Sequence, residues 1–255
     1  MTYKEIYDNL AADLKRVQIR QEYLRPKVIK EFKKERKFPA WRWYDYTIPS
    51  TNNKYVIYFY VENRMQIEKP IVGYFAIMFD ENERYVIKWG AGLYKHVESN
   101  SMQPIRQLHA YSSHFFRRYN ERLLKDEKLS ANDIACRYFT RNKSENSVPV
   151  KMTEEINRRL NEYRETAQQY GYLVRDGFCF GDVVAQGLCS DDGDRSKDKI
   201  DAILVRYATF MNKLGLAEVQ RDAIEEGAWN AWEQSMRDFQ SDMNDKGELV
   251  FRLEK

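Results

Sequence analysis

Between Trp41 and Gly90 the chain is a succession of short aromatic and β-branched runs, WRWYDYTI, KYVIYFYVEN, IVGYFAIMFD and RYVIKWG, separated by brief polar breaks. This block constrains the fold more than any other feature. Runs of this length and composition read as strands. Ser50-Thr51-Asn52-Asn53 reads as one turn, and the short link through Asn82 reads as a hairpin. Strands joined so tightly must pair antiparallel, because parallel pairing needs a crossover of about a dozen residues. A four-stranded antiparallel meander is the expectation.

The flanks read as helix. Ile6, Leu10, Leu14 and Val17 form one apolar stripe over residues 3–18. Pro26 then interrupts, and residues 26–36 are predicted to resume as a second helix with the proline in its first turn. Beyond residue 104, Ser112 or Ser113 caps a helix to about Leu124, and Ser130 caps another to Phe139. Residues 153–170 read as a charged helix, and LVRDGFCFGDVV as a short strand and turn or a loop with buried aromatics. Ile200, Ile203, Leu204, Tyr207 and Met211 share a helical face over 197–214, and Val219, Ala223, Trp229 and Trp232 lie on a last helix over 216–240. The predicted class is α+β: N-terminal helices, the four-stranded antiparallel sheet, then a mainly helical C-terminal half. The polar segment 141–150 marks a boundary between an α+β domain over 1–145 and an acidic helical region over 146–255, packed on the first.

Composition removes several functions. With 255 residues, 43% of them hydrophobic, the chain can bury a core, and no stretch reaches the roughly 18 uninterrupted apolar residues of a membrane span. A soluble, cytoplasmic protein is expected. Cys136, Cys179 and Cys189 are odd in number and form no CxxC, against a disulfide framework or a cysteine-rich zinc module; Cys179 and Cys189 read as buried thiols. His109 and His114 stand five apart, not at the spacing of a helical zinc pair. Asp191-Asp192-Gly193-Asp194 has Lys197 and Ile203 where a calcium loop needs glycine and glutamate, so it reads as an acidic turn. No metal and no cofactor are expected.

The net charge of +3 hides an asymmetry. Residues 1–48 hold twelve Lys/Arg against seven Asp/Glu, residues 103–143 nine against four, and residues 176–247 eight against fifteen. A basic front and an acidic back suit a polyanionic partner such as RNA, or an acidic protein. Lys30, Lys33, Lys34, Arg42 and Arg117 are the candidate contacts. Trp41, Trp43, Tyr44 and Tyr46 beside Arg42 would either stack on unpaired bases or pack the sheet.

The one short cluster with chemistry in it is YSSHFFRRYNER. At about 100° per residue, His114, Arg118 and Arg122 follow one another along a helix face opposite Phe115, Phe116, Tyr119 and Leu123. Like charges at this spacing repel unless an anion lies between them, and an arginine fork suits phosphate. The run from His114 to Ile134, with Leu129-Ser130 and Asp133-Ile134 after the turn, resembles a small bacterial domain family of unknown function. We group that family by loose analogy with RelE-like toxin ribonucleases. Phe115 stands where the family has a small residue, and Lys125-Asp126-Glu127-Lys128 lengthens its turn. The resemblance implies RNA binding or metal-independent RNA cleavage through the 2′-hydroxyl. His114 would then be the general acid or base, Arg118 and Arg122 would stabilise the phosphorane, and His109 or Tyr111 would be the second proton-transfer group. Sequence alone thus leaves three functions: binding of RNA or an acidic partner, toxin-like ribonuclease, and a structural or assembly role.

Overall fold

Helix α1 (Tyr3–Phe32) begins on a capping box, in which Thr2 Oγ1 accepts from the Glu5 amide and the Glu5 carboxylate accepts from the Thr2 amide. It runs unbroken through Pro26. Proline removes one helical hydrogen bond, but Leu10, Val17, Leu24, Val28 and Phe32 bury one stripe on both sides of it against the sheet. The two N-terminal helices expected from the sequence are therefore one. The computed structural model describes residues 1–95, 102–143, 148–150, 153–161, 170–188 and 199–241.

The sheet is larger than the predicted meander. Strands β1 (Ala40–Thr47), β2 (Lys54–Val61), β3 (Ile71–Asp80) and β4 (Glu83–Lys95) follow in order, the last two joined through Glu81 and Asn82, both at positive φ as a tight hairpin turn requires. Five more strands join them: β5 (Met102–Ser112), β6 (Val148–Val150), β7 (Tyr170–Val174), β8 (Gly177–Leu188) and β9 (Lys199–Asn212). The order across the sheet is β1-β2-β3-β4-β5-β9-β8-β7-β6, and β5 with β9 is the parallel pair. The expectation of four strands and a mainly helical C-terminal half is thus overturned. Residues 199–212, read as helix, form a strand deep inside the sheet. Although Arg206 is exposed, β9 carries apolar residues on both faces, with Val205 and Tyr207 in the core under α2 and α3 and Leu204 against the core under α1, so the run matches a helical stripe as well as a strand. Residues on either side of the expected boundary near 145 lie in one sheet, since β5 pairs with β9.

Helix α1 covers one face of the sheet, over Tyr55, Ile57, Phe59, Ala76, Ile87 and Leu108. Helices α2 (Ser113–Tyr119) and α3 (Ala131–Arg141) cover the other, where Val56, Phe75, Val86, Tyr111 and Tyr207 meet Phe115, Phe116 and Tyr138. Helices α4 (Glu154–Asn161) and α5 (Glu218–Ser241) close the β6 end around Ile156, Phe178, Phe180, Leu216 and Ile224. Two buried carboxylates tie the layers together. Asp13 on α1 accepts from Asn53 Nδ2 (2.6 Å), the Tyr55 hydroxyl (2.9 Å) and Thr51 Oγ1 (3.1 Å) at the β1–β2 turn. Asp176, between β7 and β8, accepts from the Tyr119 hydroxyl (2.6 Å) and from both arms of Arg141 (2.8 Å each). Among the described residues, no helix is long and apolar enough to cross a membrane. Cys189, the acidic turn at 191–198 and residues 162–169 of the predicted helix lie outside the described residues.

Candidate functional site

Helix α2 forms where the sequence placed it, capped by Ser112 Oγ, which accepts from the Phe115 amide at 3.1 Å. Phe115, Phe116 and Tyr119 bury its inner face, which turns His114, Arg117 and Arg118 outward. Arg117 Nη2 donates to His114 Nδ1 at 2.7 Å, and Arg118 Nε stands 3.4 Å from His114 Nε2. A neutral imidazole has one acceptor nitrogen, so the shorter contact is the hydrogen bond and the other sets a cation beside the ring. Burial, then Arg117 and Arg118, hold His114 below the usual histidine value. Glu121 takes Arg118 at 2.9 Å.

The expected stripe stops there. From Asn120 to Leu124 the chain widens into a π-helical turn, which ends on Lys125 at φ 53°. Arg122 is thereby drawn to β9, where it donates to the Phe210 carbonyl, while Asn212 Nδ2 donates to the Arg122 carbonyl at 2.6 Å. His114, Arg118 and Arg122 line neither the cavity of about 630 Å³ described below nor one of about 330 Å³ beside β1 and α3.

The predicted basic contacts are also dispersed. Lys30, Lys33 and Lys34 lie at the end of the helix on one face of the sheet, whereas Arg117 lies on a helix of the opposite face. Arg42 is held by Glu35 (2.6 Å) and Glu31 (3.5 Å), and Lys33 by Glu68 (2.7 Å). Trp43 Nε1 donates to Asp133 and Trp41 Nε1 to Thr140, so both indoles join β1 to α3.

His109 and Tyr111 are placed differently. Both project from β5 towards the α2–α3 side, into or beside a cavity of about 630 Å³. This is within the range of about 300–1,000 Å³ typical of small-molecule sites. Its origin is a fork in the sheet. The β3–β4 ladder runs from Asp80↔Glu83 to Ala76↔Ile87 and stops, while β4 stays paired with β5 as far as Lys95. The next residue of β4 is Lys88, whose Nζ reaches across the opening and donates to the Tyr74 carbonyl at 2.8 Å. Lys88 also lies over the rings of Tyr74 (5.2 Å) and Phe139 (5.5 Å). Two residues on, Gly90 leaves open space where a side chain would stand, with no heavy atom within 4 Å of its Cβ position.

The cavity walls come from seven elements, with β4 supplying Lys88 to Ala91. Tyr58 and Ile71 stand on the β2–β3 side and Gln107 and His109 on β5; Tyr172 and Tyr207 stand on β7 and β9, with Phe139 and Thr140 from α3 and Asn142 just after it. Tyr207 stacks on Tyr111 (4.3 Å between rings, 11°), and its hydroxyl lies 3.1 Å from His109 Nδ1. Among the described residues, no aspartate or glutamate lines the cavity and no carboxylate pairs with Lys88. Burial brings Lys88 from the ordinary 10.5 down to about 8. Burial, and secondarily Lys88, bring His109 down to about 4, so its imidazole is neutral at pH 7. Among the described residues, no group of three or more His, Cys, Asp or Glu could hold a metal ion.

Of the residues singled out in the sequence, the structure brings His109 and Tyr111 to this cavity and leaves His114, Arg118 and Arg122 outside it. Lys88, Gly90 and Tyr207 were missed. The available signal was a lysine set in the apolar run VIKWG, followed by glycine. Compared with family models, with curated proteins and with solved structures, the chain matches none.

Proposed function

We propose that the protein binds a small planar anion in the fork between β3 and β4, with Lys88 taking the negative group and the aromatic walls taking the ring. The supporting observation is Lys88 itself: a cation inside an aromatic cavity with no carboxylate among the described residues to neutralise it. A buried charge without a counterion is costly, and an anionic ligand removes that cost. Phe139, Tyr58 and Tyr172 offer ring faces, and Asn142 and Gln107 offer amide groups to orient polar substituents.

This reading narrows the RNA partner expected from charge. A nucleotide is a planar ring with a phosphate, so a single unpaired nucleotide belongs to the ligand class, whereas a duplex does not fit a cavity of this size. Broad polyanion binding has less support, because Lys33, Arg42 and Arg117 already have acidic or histidine neighbours. Cleavage of RNA through His114 remains a proposal of the sequence, to which the surroundings of His114 add nothing.

The test is calorimetric titration with nucleoside monophosphates and aromatic carboxylates, each beside its uncharged counterpart (the nucleoside, the carboxamide). Binding of at least one anion, lost with its neutral counterpart and lost in Lys88→Met, is the expected result. Equal binding of charged and neutral members, or undiminished binding by Lys88→Met, would refute the reading.

A further inference from the structure

We propose that Lys88 is also a nucleophile, forming an imine with an aromatic aldehyde seated in the fork. The inference rests on the cavity having the ligand class given above, and adds a covalent step in which the carbonyl carbon of an aldehyde ligand, rather than its negative group, meets the free-base form of the amine. Three geometric features carry it. The amine donates to one neutral acceptor, the Tyr74 carbonyl, and among the described residues no carboxylate fixes it as an ammonium ion. Gly90 leaves room beside it, where the ring of a bound aldehyde would lie. His109 is its direct cross-strand partner, which puts the two side chains on one face at neighbouring positions, and His109 in turn meets the Tyr207 hydroxyl.

The ionisable side chains around the amine are Tyr58 from β2, Tyr74 from β3, His109 and Tyr111 from β5, Tyr138 from α3 and Lys143 just after it, Tyr172 from β7 and Tyr207 from β9. None of them is a carboxylate, so none of these described groups is a counterion that holds the proton on the amine. With Lys88 at about 8, roughly a tenth of the amine is free base at pH 7, against less than roughly a thousandth for an exposed lysine.

The step balances without oxidant or reductant. The amine lone pair attacks the carbonyl carbon and the C=O π pair moves to oxygen. A proton then passes from nitrogen to that oxygen, giving a carbinolamine. The nitrogen lone pair next expels the hydroxyl, which takes a proton and leaves as water, and the C=N bond remains. The neutral His109 imidazole, linked to the Tyr207 hydroxyl, is the group positioned to accept the proton from nitrogen and return it to the departing oxygen.

The experiment uses pyridoxal 5′-phosphate, a planar anionic aldehyde, at one equivalent with borohydride reduction and peptide mass mapping of the full chain. The alcohol pyridoxine 5′-phosphate, which cannot form an imine, serves as competitor and as a calorimetric ligand. The expected result is a reduced adduct on Lys88 at least ten-fold above any other lysine, suppressed at least five-fold by excess alcohol. Lys88→Met, checked for folding by circular dichroism, should then show only the background. Binding of the alcohol with adducts scattered over other lysines would overturn the imine and leave the ligand class standing. Absence of both would overturn the two together. A Lys88 adduct without measurable binding of the alcohol would overturn the seated complex from which the imine is proposed to form.

Discussion

Replacing Lys88 by methionine should change the pH dependence of stability in a way that a purely structural lysine would not. Burial lowers its value from 10.5 to about 8. Below about pH 8 the amine is protonated in both folded and unfolded chains, and the folded state bears a cost of about 3 kcal/mol, at about 1.4 kcal/mol per pH unit. Between about 8 and 10.5 the unfolded chain binds the proton and the folded chain does not, so stability rises with pH. Above 10.5 the amine is neutral in both states and the cost vanishes. Methionine matches the stem and removes the charge, but it leaves the Tyr74 carbonyl without its donor, at about 1–3 kcal/mol. The two effects roughly offset at pH 7, where Lys88→Met is neutral or stabilising. At pH 10 the lost hydrogen bond dominates and the variant is the less stable protein. The difference between wild type and variant should therefore move by about 2–3 kcal/mol between pH 7 and pH 10. Urea denaturation of both proteins at the two pH values measures it. Other exposed groups cancel in the comparison, and burial pushes Tyr58, Tyr111 and Tyr138 up, so these tyrosines stay protonated over the window. A difference that stays constant within about 1 kcal/mol would refute the buried, unpaired cation.

Gly90→Val should fill the open space in the fork, keep the fold because valine suits a strand, and weaken planar-anion binding on the order of ten-fold or more in calorimetry. Asp176→Asn should cost about 3 kcal/mol in urea denaturation, since Arg141 and Tyr119 lose the carboxylate that joins α2 and α3 to the β7–β8 turn. Burial raises Asp176, but the hydrogen bonds from Arg141 and Tyr119 outweigh it and leave the group below the usual aspartate value. Its contribution is thus present above that usual value and disappears as the pH falls through the lowered one, and the Asn variant should lose that part of the acid transition. His114→Ala should leave planar-anion binding unchanged within about two-fold, because the side chain lies outside the cavity. Loss of a measured RNA-cleaving turnover in the same variant would instead support the ribonuclease reading.

The legible part of the fold was the part whose signals are local. Strands β1 to β4 have strand-length runs of β-forming residues, and Asn52, Glu81 and Asn82 mark their turns with positive φ. The caps Ser112 and Ser130 located α2 and α3. Three elements were misread for definite reasons. Pro26 suggests a break, but a buried stripe from Leu10 to Phe32 carries α1 through it. Strand β5, QPIRQLHAYS after Met102, mixes polar and apolar residues around Pro104 and has no β-branched run. Strand β9 puts apolar residues on both faces, Leu204 on one and Val205 and Tyr207 on the other, so the alternation that distinguishes strand from helix is blurred. The site was less legible still. A cluster such as His114, Arg117 and Arg118 stands out in sequence because its members adjoin, yet these residues satisfy one another on the helix surface. Lys88, His109, Phe139 and Tyr207 come from four separate elements, and only the pairing of β4 with β5 and β5 with β9 brings them together.

The most direct measurement is a crystal structure of the protein with 4-iodobenzoate, whose iodine is located by its anomalous signal. The proposed function predicts one dominant site in the fork, with the carboxylate on Lys88 Nζ in place of, or beside, the Tyr74 carbonyl, and the ring between Gly90 and Phe139. Iodine bound elsewhere with the fork unoccupied, or an iodine site in the fork that persists unchanged in Lys88→Met, would contradict it.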